Sequence, residues 1–232
     1  MGIPSKTKII SLLLKITVAV AAAVGVILSA YAARDTFMGG NRVFMFFTIQ
    51  SNIAIALIAV VGAALLFVKK PPLSGVWPVI VFVGTVSITL TGAVFCFILA
   101  PTLGEFAWKP QNVLTHVVVP VSAIADFFVC GVFYGIKKKS VIFVILPPGA
   151  YALYAGIGYA AGWEFAEGIN YPYFFLNWGS PAGAFGFSRE SPFMGCVWWI
   201  LLLLLFLIGV GFGYLAILDG IKKRKNAAKE KQ

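Results

Sequence analysis

The sequence is poor in the residues that most site chemistry uses. It holds one histidine, three cysteines and eight acidic residues in 232 positions. Zinc sites take their ligands from Cys, His and carboxylates in close spacing, and haem needs an axial ligand from a similar short list. Cys96, Cys130 and Cys196 lie in separate apolar runs without such spacing. No cofactor and no metal are therefore expected. Cys96 and Cys196 fall near one membrane face in the reading below, and they read as packing cysteines rather than as a disulfide. Short segments of alternating polarity are missing as well, which excludes a transmembrane β-barrel.

Charge is scarce, at 11% of residues, while 60% are hydrophobic. Long apolar runs recur along the whole length. The fold class is an all-α integral membrane protein with no soluble domain. The net charge of +10 invites a nucleic-acid partner, but the placement of the charges excludes one. They sit in short clusters between apolar runs, as topology signals do.

Six transmembrane helices are predicted, over about 9–33, 43–68, 76–100, 112–136, 140–163 and 193–218. Together they make one domain, 1–221, with a basic tail at 222–232. Lys6 and Lys8 before the first run, and Ala30-Tyr31-Ala32 near its end, resemble a signal peptide. The run is too long for a signal's apolar core, so a retained helix is expected. Lys15 is expected to snorkel from it to the surface. Thr85, Ser87, Thr89 and Thr91 spread around the third helix and read as hydroxyls bonding back to the preceding turn. Pro147-Pro148 should kink or break the fifth.

Lys and Arg cluster at the N-terminus, at 69–70, at 137–139 and in the tail. Six spans with both termini in the cytoplasm put every cluster on the cytoplasmic side. The one long connection, 164–192, carries NYPYFFLNWGSPAGAFGF. Its aromatic content disfavours disorder. It reads as an ordered outer cap between helices five and six, with Trp and Tyr at headgroup depth.

The most informative stretch is RVFMFFTIQSN, residues 42–52, at the start of the second helix. Thr48, Gln50, Ser51 and Asn52 crowd its first third. Burying a polar group without a partner is costly, so polar residues there point to a site. The best partner is the lone histidine, His116. Helices two and four both run from outside to inside, and Thr48 and His116 each lie four or five residues from the outer end. At about 1.5 Å per residue both are roughly 6–8 Å down, in the outer leaflet. A threonine hydroxyl beside a neutral imidazole suits acyl transfer, with the imidazole taking the hydroxyl proton. Asn52, one turn from Thr48, and Asn112, one turn before His116, are the preferred oxyanion donors; Gln50 and Ser51 are further support. Pro120 abuts the His116 carbonyl and should kink the helix beside it. Asp126 lies about 15 Å deeper than His116. It reads as a buried packing acid. Glu105, Glu164 and Glu167 lie on the outer side and are candidates to orient the imidazole, but they read first as solvated rim charges. On composition alone, a threonine in a membrane helix is more often a packing residue.

RVFMFFTIQSN, LTHVVVPVSAIADF (114–127) and NYPYFFLN (170–177) together resemble the androgen-induced-protein family of multispan membrane hydrolases, in particular its bacterial branch. The resemblance runs from the second helix to the last loop. It implies a catalytic Thr48, a catalytic His116 and a Pro120 beside the site. It also implies a bacterial plasma membrane, and hydrolysis of fatty acid esters of hydroxy fatty acids or similar amphiphilic esters. The expected partners are a lipid ester entering from the bilayer and the membrane lipids. The alternative is a multispan transporter or binding protein for a lipid or small molecule, without hydrolytic activity.

Overall fold

The structure is a computed structural model that describes residues 3–34 and 39–230. The last two residues of the expected basic tail, Lys231 and Gln232, lie outside the described residues. All the regular structure among the described residues is helical, with no strand. Six helices are long and apolar enough to cross a membrane: α1 Ser5–Ala32, α2 Phe47–Leu65, α3 Val76–Trp108, α4 Pro110–Gly131, α5 Lys138–Ala160 and α6 Cys196–Ala228. The chain is an integral membrane protein with the expected six spans. Large apolar side chains face outward along them, such as Leu13, Ile27, Leu57, Phe97 and Leu205. Such surface suits lipid, since hydrocarbon tails are as apolar as the side chains they touch.

Small residues set the tightest packing. Ala21, Ala22 and Val18 of α1 are buried against Ile55 and Ala59 of α2 and Val119 and Ala123 of α4. Gly25 of α1 lies so close to α4 that a Cβ there would sit 2.7 Å from the Thr115 methyl. A second core forms where Phe82, Val86 and Leu90 of α3 meet Phe127 and Cys130 of α4 and Leu207, Leu215 and Leu218 of α6.

Two sequence expectations change in this core. Lys15 does not snorkel. It is buried and forms an ion pair with Asp126, whose other oxygen accepts the Ser11 hydroxyl at 2.5 Å. Asp126 is thus buried as one half of an ion pair rather than as a lone packing acid. A cation reaches the interior when an acid there meets it, and each charge then offsets the desolvation of the other.

Two spans are not plain α-helix. In α3, residues Phe95–Leu99 form a π-helical turn; in α4, Leu114–Val118 do the same. Pro120 accounts for the second. It has no N–H to give the His116 carbonyl, and its ring crowds that carbonyl. The ladder shifts to a longer closure, with Val119 N–H reaching Leu114 O. In α5, Pro147 and Pro148 occupy the first turn of an α-helix, Leu146–Ala160, that follows a 3-10 stretch, Lys138–Ile145. The prolines change the helix type there rather than ending the span.

The connection between α5 and α6 is packed. Phe165, Phe175 and Leu176 are buried with Tyr151 and Ala155 of α5. Phe46, just before α2, meets Phe165 and Tyr173 edge to face. Arg42 and Glu164 form a half-exposed ion pair at 2.7 Å across the same junction. The start of α2 and this connection therefore form one unit.

Candidate functional site

Phe46 precedes α2 and offers no side-chain cap. The first backbone N–H groups of a helix need partners from elsewhere. Tyr173, from the α5–α6 connection, supplies one: its hydroxyl accepts the Thr48 N–H at 3.3 Å. The same oxygen lies 3.4 Å from Thr48 Oγ1. Burial raises the Tyr173 pKa, and the contacts with Thr48 only partly offset this. The phenol therefore stays protonated at neutral pH and can donate to the threonine oxygen. Thr48 itself is half-buried. It lines a cavity of about 60 Å³ with Thr91, Tyr151, Tyr173 and Leu203 among its walls.

His116 is buried within the π turn of α4. Its Nδ1 lies 3.0 Å from the Asn112 carbonyl and 3.0 Å from Thr115 Oγ1. The carbonyl only accepts, so Nδ1 carries the proton. The Thr115 hydroxyl donates to Gln111 O at 2.8 Å and can accept from Nδ1 as well. Nε2 then holds the lone pair, and no hydrogen bond engages it among the described residues. The ring stacks on Phe95, the first residue of the π turn in α3, with centroids 3.9 Å apart. Two π turns thus meet face to face at this imidazole, and such turns concentrate at functional sites. Below it, Gly92 of α3 packs on the His116 carbonyl and the Pro120 ring; a Cβ there would stand 3.0 Å from the carbonyl oxygen.

Asn52 joins the two halves. It is fully buried, and its amide nitrogen donates to Thr48 O at 2.8 Å and to Thr115 O at 3.1 Å. The backbones of the threonine and the residue beside the histidine are bound to one side chain. Asn52 Oδ1 is buried and has no hydrogen-bond partner among the described residues. Ser51 bonds Thr48 O at 3.1 Å and Thr91 Oγ1 at 2.8 Å, so it ties α2 to α3. Gln50 is exposed and donates to Phe44 O at 3.2 Å. The Asn112 side chain donates to Phe106 O at 3.2 Å; its link to the histidine runs through its backbone carbonyl.

The structure therefore brings Thr48, Asn52, Thr115 and His116 to one junction of α2 and α4. Among the described residues, no hydrogen bond joins Thr48 to His116. Both amide hydrogens of Asn52 are already committed to carbonyls, so it serves as a brace rather than as a free donor. Tyr173 and Phe95 were not singled out in the sequence. The Tyr-Pro-Tyr run in the last loop is the signal for the first, because a polar tip on an apolar ring seeks a partner when buried. Among the described residues, no group of His, Cys, Asp and Glu could hold a metal ion. No protein-family model, curated protein or solved structure matches the chain.

Proposed function

We propose that this chain is an intramembrane lipid ester hydrolase, with Thr48 as nucleophile and His116 as general base. The observation that carries the reading is the anchoring of His116. Nδ1–H is fixed on the Asn112 carbonyl, which leaves the basic nitrogen unpaired in a buried site that Asn52 ties to the Thr48 turn. A buried, oriented imidazole with a free lone pair is what a general base requires.

In the proposed reaction, Thr48 Oγ1 attacks the ester carbonyl carbon as its proton passes to His116 Nε2. The carbonyl oxygen becomes an oxyanion, and the Tyr173 O–H is the donor best placed to stabilise it. Collapse breaks the ester C–O bond, and the departing alkoxide takes the proton from Nε2. Water then attacks the acyl-threonine with His116 again as base, which releases the acid and restores Thr48. The Thr48 and His116 side chains close to hydrogen-bonding distance when the ester binds, since catalytic bonds are often longer before substrate arrives. The substrates are amphiphilic esters of the fatty-acyl hydroxy-acid type. The lysine-rich end of the bundle faces the cytoplasm, and the α5–α6 connection caps the site from the outer leaflet of a bacterial plasma membrane.

Labelling of the purified protein with a fluorophosphonate, followed by peptide mass spectrometry, tests this directly. The expected result is an adduct on Thr48 that disappears in His116→Ala. Folded protein with no adduct would favour a second reading, a lipid transporter or binding protein. The observation behind that reading is the missing Thr48–His116 bond, together with a far larger groove on the other side of Phe47.

A further inference from the structure

A groove of about 840 Å³ lies between α2, α3 and α5. Its walls are Ala54 and Ile58 of α2, Val79 and Val83 of α3, and Leu146 and Ala150 of α5. Ligand sites generally occupy roughly 300–1,000 Å³ and are mostly apolar, so the groove is of ligand size. It opens sideways, since Ile80 and Leu146 along it are exposed. Thr48 and His116 do not line it; Phe47 and Tyr151, packed edge to face, stand between it and the Thr48 cavity.

Its direction is the informative feature. One end is at Gly75, Val76 and Phe143. Gly75 follows Lys69 and Lys70 by a short turn, and Phe143 follows Lys137, Lys138 and Lys139. The two turns are joined, because the Gly135 N–H donates to Leu73 O at 2.8 Å. All five lysines are exposed at that end of the bundle. Lys222 reaches the same end, donating to Tyr134 O at 3.0 Å. From Gly75 the groove follows α3 to Ser87, which is twelve residues or about 18 Å at the helical rise. One leaflet of a roughly 30 Å hydrocarbon core is about 15 Å deep. On α2 the lining continues through Ser51, which bonds Thr91 of α3 one turn beyond Ser87, to Phe47, so the groove runs past one leaflet's depth, with positive charge at its lysine end. Ser87 lines its α3 wall with a buried hydroxyl that has no partner among the described residues.

We infer that this groove is a binding site for one anionic phospholipid. Its phosphate lies on the lysines of the 69–70 and 137–139 turns, and one acyl chain fills the groove as far as Phe47 and Tyr151. Basic residues beside a cleft between membrane helices hold anionic headgroups in this way. A zwitterionic lipid leaves the lysines without a net counter-charge. The site does not depend on the hydrolase reading, because catalytically silent protein would still hold the lipid.

Delipidated full-length protein in detergent, titrated with dioleoyl phosphatidylglycerol, dioleoyl phosphatidylcholine and oleate and read by native mass spectrometry, tests the assignment. One phosphatidylglycerol per chain should be retained, about tenfold more tightly than phosphatidylcholine. Ala150→Trp, which puts an indole into open space on the α5 wall, should abolish that retention, while Val60→Trp on the exposed face of α2 should not. Lys69→Gln with Lys70→Gln and Lys138→Gln should bring phosphatidylglycerol to the phosphatidylcholine level. If Ala150→Trp fails to fold, as judged by circular dichroism, Ala54→Trp puts the same question from the opposite wall. Equal retention of both phospholipids overturns the inference. So does retention that survives the tryptophan, which would leave only surface adhesion, or displacement of phosphatidylglycerol by an equal amount of oleate.

Discussion

Tyr173 shows how one hydroxyl can be structural and chemical together. It accepts the Thr48 N–H and stands 3.4 Å from Oγ1. Tyr173→Phe keeps the ring packing on Phe46 and Phe175 and removes only the oxygen. As a lost cap it should cost about 1 kcal/mol of stability. As an oxyanion donor it should lower kcat on a lipid ester by about 100-fold with little change in KM. Melting of the detergent-solubilised protein and steady-state kinetics separate the two effects; unchanged kcat would leave Tyr173 a cap alone. The Lys15–Asp126 pair poses a different question. Both residues are buried, so Asp126→Asn strands an ammonium in the interior and should destabilise the bundle by about 3–5 kcal/mol. Replacing both, as Lys15→Met with Asp126→Leu, should restore most of that loss. Chemical denaturation of Asp126→Asn and of the double variant measures it. This pairing was not legible in the sequence. The partners are 111 positions apart, and an isolated lysine near a helix start gives the same local pattern whether it snorkels or turns inward.

At the scale of the elements, the apolar runs carried most of the information. Six runs predict six spans, and six are found, because length and hydropathy are the whole requirement for crossing a bilayer. Helix type was harder to read. Pro120 signals a disturbance beside His116, but a proline can kink a helix, end it or shift its ladder. The choice of a π turn depends on Phe95 and Gly92 of α3 packing against it. Polar residues at the start of α2 mark the site, yet the division of labour among them was not visible. Asn52 is spent on the carbonyls of Thr48 and Thr115, and that needs the position of α4. Pro120→Ala gives the ladder back its N–H and should return residues 114–118 to ordinary α-helix. The expected outcome is a more heat-stable protein whose hydrolytic rate falls by about 100-fold, since the imidazole rotates away from the Thr48 side. Gly92→Ala presses on the same turn from α3, where its Cβ would meet the His116 carbonyl at 3.0 Å. It should cost about 1–3 kcal/mol as an overpacked contact, and activity should fall with it. An activity that survives Pro120→Ala unchanged would mean that the π turn does not set the histidine.

The whole molecule is polarised from end to end, and that governs where any substrate can enter. Lysines 69, 70 and 137–139 share one end with Lys222. The Thr48 junction and the aromatic connection that packs on it lie where α2 and α6 begin and α5 finishes. Adjacent helices alternate in direction, so the two groups of features lie at opposite ends of the spans. The proposed orientation follows the inside-positive bias, with the lysine end on the cytoplasmic face and the Thr48 end on the other. Single cysteines introduced in a background without Cys96, Cys130 and Cys196 read this out. In intact cells, a membrane-impermeant maleimide should label Glu164→Cys and leave Lys70→Cys and Lys138→Cys unlabelled until the membrane is opened. The reverse pattern would put the Thr48 junction on the cytoplasmic side, where an ester would have to arrive from the inner leaflet. The proposed lipid groove and the Thr48 cavity share Phe47 and Tyr151 as a wall, so a chain held in the groove would brace that wall from behind.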